Sequence, residues 1–100
     1  METRHHSRYP VDIQGRYRIG NGIGKDVTVY DLSVRGCRMF DRFSKLGLSD
    51  FVYIKIGSIG PIDAHVRWRR HNEIGIEFSR PLHRSVLDHM RTTMDGWSSP

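Results

Sequence analysis

Two short motifs in the first third of the chain carry side chains that could bind a nucleotide. Arg4 and Arg8 lie four residues apart before the first apolar segment, and Asp31, Ser33 and Gly36 follow the second. Each guanidinium group can bind a phosphate, or the O6 and N7 edge of a guanine, through two hydrogen bonds. A carboxylate can accept from the N–H groups of a base, and a glycine lets a ligand approach the backbone closely. Together the motifs predict a site for a ligand that bears both phosphate and base.

Each motif also has an interpretation that needs no ligand. The chain has 16 Lys plus Arg residues, so two arginines four apart occur by chance in a solvated basic tail. Asp31 and Ser33 could hydrogen-bond their own backbone at a strand end, and Gly36 could be required only by turn geometry. The order and spacing of the two motifs favour the ligand site, although a glycine required by the turn is compatible with both interpretations.

Apolar periodicity predicts six strands and one helix. The strands are predicted near residues 11–19, 27–31, 37–39, 51–56, 62–69 and 74–78. In the fifth strand, alternation places Ala64, Val66 and Trp68 on the core face, so a core position for Trp68 is at least as well supported as ligand contact. Short strands at regular spacing with turn residues between them predict an all-β fold, a small six-stranded antiparallel barrel.

The end of the chain changes to a helical period. Apolar residues at Leu82, Val86, Leu87, Met90 and Met94 predict an amphipathic helix over 80–95 that covers one opening or flank of the barrel. Ser79 is the predicted N-cap. The predicted organisation is a single domain with a basic arm at 1–9, the barrel at 10–79, the helix at 80–95 and a tail at 96–100.

Composition limits the class of protein. One hundred residues with 37% hydrophobic content predict one folded domain. No segment approaches the roughly 20 apolar residues of a membrane span, and residues 1–8 lack the apolar stretch of a secretory signal. The single Cys37 cannot form an internal disulfide, which agrees with a location in the cytoplasm. A net charge of +5 favours an anionic partner without identifying it.

The chain resembles a known family, the PilZ domains, bacterial receptors for the second messenger cyclic di-GMP. The resemblance is carried by residues 4–11, 31–36, 64–69 and 74–78 and by the C-terminal helix. It implies a barrel of the PilZ split-barrel type and a cyclic di-GMP ligand enclosed between the arginine arm and the end of the second strand. The implied ligand-binding residues are Arg4, Arg8, Asp31, Ser33, Gly36 and, at the pocket rim, Trp68.

The resemblance also leads to expectations about signalling. The arm from Met1 to Tyr9 has almost no apolar residues, so we expect it to be mobile when free and ordered by the ligand. The resulting change of shape would then be transmitted to an effector protein that the sequence does not identify. Many members carry a further arginine before the first motif, where this chain has Thr3. The resemblance therefore does not determine whether the protein binds one or two nucleotides.

Other functions are less well supported. Arg67, Arg69 and Arg70 around Trp68 could bind single-stranded nucleic acid, but only one aromatic residue accompanies them. A protein-binding adaptor without nucleotide is a third possibility, against which the intact motifs argue. No arrangement of nucleophile and base, and no histidine spacing typical of a metal site, can be argued from the sequence. We therefore predict a non-enzymatic protein without metal or cofactor.

Overall fold

Six antiparallel strands close into a barrel. The structure, a computed structural model, describes residues 7–94 of the 100-residue chain. The strands are β1 (Tyr9–Arg18), β2 (Lys25–Leu32), β3 (Gly36–Phe40), β4 (Phe51–Ile56), β5 (Ile59–Arg70) and β6 (Glu73–Phe78). Their order around the barrel is β1-β2-β3-β6-β5-β4, and β1 pairs with β4 to close it. The predicted all-β fold with a C-terminal helix is confirmed.

The interior is filled by the apolar half of each alternating strand. The fully buried side chains include Ile13, Val29, Met39, Ile54 and Ile74, one from each of five strands. Closing the sheet leaves no unpaired edge and surrounds these side chains with apolar neighbours. Across residues 7–94, the structure contains no helix with the length and apolar character needed to cross a membrane.

The C-terminal helix begins later than predicted. Helix α1 spans Arg84–His89 and continues as a π-helical segment over Met90–Met94. His83, not the predicted Ser79, is the N-cap, and its Nδ1 accepts from the backbone N–H of Ser85 at 3.1 Å. The reason is tertiary: the N–H groups of Ser79 and Leu82 donate to barrel carbonyls at 2.8 Å and 2.7 Å, which keeps this segment out of the helix. Proline at position 81 also disfavours a helical conformation in the residue before it.

A β-bulge in β2 sets the direction of Asp31. Val29 pairs with Met39, but the next pair is Asp31 with Arg38, so β2 contains one extra residue. Val29 and Leu32 are both fully buried, and therefore two residues lie between consecutive inward positions. Asp31 is thereby paired with Arg38 on the outer face of the barrel.

A second bulge reverses the face of Trp68. Val66 pairs with Ile76, but Trp68 pairs with Gly75, so β5 also gains one residue. Paired residues share a face, and Gly75 alternates with the buried Ile74 and Ile76. Trp68 therefore lies on the outer face, half-buried, and the prediction that it continues the core row of Val66 is wrong.

Candidate functional site

Four arginines converge on one side of the barrel. Arg8, Arg35, Arg38 and Arg67 line an open pocket of about 220 Å³ together with Trp68. They come from the segment before β1, the β2–β3 turn, β3 and β5. Because β3, β6 and β5 are neighbours in the barrel, these residues meet although they are far apart in sequence. So many guanidinium groups at one pocket form a strongly anion-attracting surface.

Asp31 holds two of these arginines in position. Its Oδ2 accepts from Arg8 Nε and from Arg38 Nε, each at 2.9 Å. The Asp31 side chain is only 12% exposed, so the pairs are partly shielded from solvent. Each guanidinium has five N–H donors, and a bond through Nε leaves the terminal nitrogens to another acceptor. Asp31 is thus a positioning residue for Arg8 and Arg38.

Glu77 plays the same part for the other two arginines. Its Oε1 accepts from Arg67 Nη1 at 2.7 Å, and its Oε2 lies 3.6 Å from Arg35 Nη2. The Nε2 atom of His65 lies 3.2 Å from the same Oε1. The hydrogen bond from Arg67 and the charges of these neighbours lower the pKa of Glu77, against an opposing effect of burial. The carboxylate therefore keeps its charge to lower pH than an isolated glutamate.

Ser33 organises the turn that leads into β3. Its Oγ accepts from the backbone N–H of Arg35 at 3.1 Å and of Gly36 at 3.3 Å, and its own N–H donates to the Gly36 carbonyl at 2.9 Å. The residue is fully buried. Alternation along the end of β2 would place Asp31 and Ser33 on the same side, but the tight turn directs Ser33 inward to its own backbone.

Gly36 is required by the packing of β3 against β6. A Cβ at this position would overlap the carbonyl oxygen of Ile76 and lie 3.1 Å from Glu77 Cα. The glycine also lines the arginine pocket. Both interpretations of Gly36 from the sequence are therefore compatible with its position. The absence of a Cβ allows the close contact between β3 and β6 and also leaves room in the pocket.

Trp68 forms one wall of the pocket. Its ring lies across Gly75, where a Cβ would overlap the indole nitrogen. The Cζ atoms of Arg38 and Arg70 lie 5.9 Å and 5.8 Å from the ring centroid, within the range of cation–π attraction. An outward aromatic face between arginines is suited to stacking on a base.

The predicted arm meets the barrel earlier than expected. Arg4 lies outside the described residues, whereas Tyr9 is already the first residue of β1 and pairs with Leu32. The Tyr9 ring contacts the helix: Arg91 Cζ lies 3.6 Å from its centroid, and Arg84 Nη2 donates to its hydroxyl at 2.9 Å. Tyr9, which directly follows Arg8, thus links the start of β1 to the C-terminal helical segment.

Sequence reasoning missed Arg35, Arg38 and Glu77 as pocket residues. Arg35 stands inside the second motif, and Arg38 lies between two buried residues of β3, so its outward direction follows from strand alternation. Arg67 was predicted in the basic cluster around Trp68, but not as part of the same site as Arg8. Only the adjacency of β3, β6 and β5 joins the two groups.

Cys37 lies beside this pocket but is fully buried, as a small apolar residue of the core would be. Burial raises the pKa of its thiol to about 12, so the reactive thiolate is scarce at neutral pH. Within residues 7–94, no group of three or more His, Cys, Asp and Glu side chains is arranged to hold a metal ion.

The closed six-stranded barrel thus carries an arginine-rich outer pocket beside a half-buried indole, a surface that attracts anions. The sequence matches the family model of the PilZ domain over residues 2–94. The chain therefore belongs to the PilZ domain family, a family of cyclic di-GMP receptors. No curated protein matches the sequence.

Proposed function

We propose that the protein is a cytoplasmic receptor for cyclic di-GMP that acts on a partner protein and catalyses no reaction. The observation that carries the proposal is the convergence of Arg8, Arg35, Arg38 and Arg67 on one pocket with Trp68. Cyclic di-GMP offers two phosphates and two guanine bases, which are the acceptors and stacking surfaces that this set of side chains complements.

Each residue of the proposed site contributes a different kind of contact with the nucleotide. Arg8 keeps terminal N–H groups for a phosphate or a guanine edge while Asp31 fixes its Nε. Trp68 offers its outer face to a base, and Gly36 leaves the pocket floor open to close approach. Ser33 acts through the turn that places Gly36, and Arg4, outside the described residues, is proposed as a further guanidinium donor to the ligand. Asp31 also remains a candidate acceptor for guanine N–H groups.

Magnitudes agree with a reversible receptor. A hydrogen bond to a charged group contributes about 1.5–3 kcal/mol. Several such bonds reach the roughly 8 kcal/mol of a micromolar complex once ordering is subtracted. The carboxylates of Asp31 and Glu77 compete for the same guanidinium groups in the free protein, which reduces the net gain from each phosphate contact. The ligand can therefore dissociate when its concentration falls.

A path for the signal starts at the first strand. Arg8, where the ligand would bind, directly precedes Tyr9 in the chain. The Tyr9 ring contacts Arg84 and Arg91 of the C-terminal helical segment. A change in the direction of the arm would therefore alter the packing of this segment against the barrel. We propose that a partner protein recognises the ligand-bound form through the helix and the ligand-covered face.

Isothermal titration calorimetry of the full chain tests the proposal. We expect micromolar binding of cyclic di-GMP and at least about tenfold weaker binding of cyclic di-AMP and GTP, because only the cognate ligand presents two guanines and two phosphates to the site. Tighter binding of a single-stranded oligonucleotide would support the nucleic-acid alternative instead. Absence of nucleotide binding would favour the adaptor alternative, and equal weak binding of all anions with steep salt dependence would indicate electrostatics alone.

A further inference from the structure

The barrel end away from the arginine pocket exposes apolar side chains around a groove. The groove has a volume of about 290 Å³ and lies between the β1–β2 hairpin and the β3–β4 loop. Its walls include Ile19, Ile23 and Phe43, which are 50%, 93% and 76% exposed. Large apolar side chains clustered at this exposure mark interaction surfaces more often than single scattered ones do.

This groove is separate from the proposed nucleotide site. The arginine pocket collects the beginnings of β1 and β3, whereas the groove collects the end of β1, the beginning of β2 and the loop after β3. In antiparallel strands these are opposite ends of the barrel. The two sites share no lining residue within the part of the chain that the structure describes.

A buried carboxylate holds the walls of the groove in place. Asp41 is fully buried, its Oδ2 accepts from the Tyr17 hydroxyl at 2.6 Å, and its Oδ1 lies 2.6 Å from Lys25 Nζ. Lys25 also donates to the carbonyl of Arg42 at 2.7 Å. The loop that carries Phe43 is thereby fastened to β1 and β2. A surface held in its binding conformation loses less entropy when a partner arrives.

Phe43 is exposed at some conformational expense. Its φ of 59° lies in the left-handed region, which is unfavourable for a bulky residue with a Cβ. Arg42 stacks on the exposed ring, with Cζ 5.2 Å from the centroid. Strained backbone that presents an apolar ring to solvent is more frequent at functional positions than elsewhere.

The charges around the groove are all of one sign. Arg18, Lys25 and Lys45 line it, and among its described lining residues there is no carboxylate. The nearby Asp41 is buried and already paired with Lys25. An occupant that complements this surface must therefore combine apolar side chains with acidic ones.

We propose that this groove is the docking site for an acidic amphipathic segment of a partner protein, which places one or two apolar side chains between Ile23 and Phe43 and its carboxylates near Arg18 and Lys45. A second copy of this chain is disfavoured, because two-fold pairing of the groove would bring like charges together. A bilayer is the other alternative, and the vesicle measurement below tests it. The site does not require that the protein bind cyclic di-GMP.

The test uses the full chain and a synthetic peptide of about 16 residues, with leucines at helical spacing and glutamates elsewhere. In NMR titrations we expect the largest shift changes at residues 18–25 and 42–45. The double variant Ile23→Ser/Phe43→Ser should weaken binding at least about tenfold, and Lys45→Glu should weaken it by a factor that decreases with added salt. These side chains are exposed, so thermal unfolding should be nearly unchanged.

Matched controls distinguish specific binding at this groove from non-specific association of the peptide with the protein. Leu48→Ser changes another exposed apolar residue of the same loop that does not line the groove, and it should alter affinity by less than about twofold. A scrambled peptide of equal composition should bind at least about tenfold more weakly. Equal binding of the scrambled peptide, an equal loss in Leu48→Ser, or no peptide binding would overturn the proposal. It would also be overturned by groove-dependent association with phosphatidylserine vesicles or with itself in place of the peptide.

Discussion

At the scale of single residues, the site depends on carboxylates that hold arginines. Asp31 and Glu77 each accept from or lie near two guanidinium groups of the pocket. Like charges crowded at one pocket would otherwise repel one another. The acidic residues therefore make the arginine cluster compatible with a stable fold while leaving N–H donors for a ligand.

Arg8→Ala should weaken cyclic di-GMP binding by about 10- to 100-fold, the equivalent of one charge-assisted hydrogen bond of about 1.5–3 kcal/mol. The free energy of unfolding should change by less than about 1 kcal/mol, since partly exposed ion pairs contribute little and Asp31 keeps Arg38. Calorimetry and urea unfolding measure the two effects. Arg42→Ala, which changes an exposed arginine outside the pocket, is the control. Wild-type affinity in Arg8→Ala would refute the assigned role.

Ser33→Ala should act mainly on stability. Its buried Oγ accepts two backbone N–H groups, and their loss should lower the free energy of unfolding by about 1–3 kcal/mol. Ser79→Ala, at the exposed position that the sequence suggested as helix cap, should change it by less than about 0.5 kcal/mol. Urea unfolding of both variants gives the comparison. Equal losses would mean that Ser33 has no special structural part in the turn.

At the scale of elements, two bulges and one close strand contact create the pocket. The bulge in β2 directs Asp31 outward, and the bulge in β5 directs Trp68 outward. Between them, β3 approaches β6 so closely that only glycine fits at position 36. The pocket is thus made by local departures from regular strand pairing.

Gly36→Ala should destabilise the protein strongly. The added methyl group would overlap the Ile76 carbonyl, and backbone atoms of two paired strands would have to move apart. We expect a loss of about 3 kcal/mol or more, at the upper end of overpacking effects. Gly47→Ala is the control, because its Cβ would meet only Asp50 Oδ2 at 3.8 Å. Thermal or urea unfolding would contradict the prediction if the two variants were equally stable.

At the scale of the whole molecule, the buried Tyr17 and the half-buried Tyr30 should make stability depend on pH in the alkaline range. Burial, then hydrogen bonding to Asp41, raises the pKa of Tyr17, and burial with a bond to Glu73 raises that of Tyr30 to about 12. In the unfolded chain both phenols titrate near 10.0. Above that pH the unfolded state loses protons that the folded state retains, and stability therefore falls as pH rises.

The double variant Tyr17→Phe/Tyr30→Phe should show a shallower decline of unfolding free energy between about pH 10 and pH 12 than the wild type. Below pH 10.0 the neutral phenols contribute their full stabilisation, so there the variant should be less stable. Urea unfolding at a series of pH values measures both features. Parallel pH profiles for the two proteins would show that these phenols do not control the alkaline decline.

Ligand binding should order the arm and leave the six strands of the barrel unchanged. Tyr9 is already paired with Leu32 and contacts the C-terminal helical segment, so its amide environment should be ordered without cyclic di-GMP. The expected ordering of the arm is therefore limited to residues that precede it. Amide hydrogen exchange should show new protection at residues 1–8 on ligand binding and unchanged protection from β1 to β6. Unchanged exchange throughout at saturation would exclude an order-on-binding switch.

The sequence by itself determined the strands, the core and the type of domain. Alternation of apolar and polar residues specifies which face of each strand is buried, because side chains point to opposite faces in turn. In β1 and β6 the alternating apolar residues are buried, but Ile19, at the end of the predicted first strand, lies outside β1 and is 50% exposed. The two motifs also pointed to Arg8 and Gly36, which both line the pocket.

Tertiary structure alone decided how the site is assembled. One extra residue in β2 and another in β5 reverse the phase of alternation, so Asp31 and Trp68 face outward where a regular register cannot predict it. The strand order then places β3, β6 and β5 side by side, which brings Arg38, Glu77 and Arg67 together. Periodicity is a local property of the chain, whereas bulge position and strand adjacency depend on how distant segments pack. For this reason the sequence predicted only some of the residues that form the pocket.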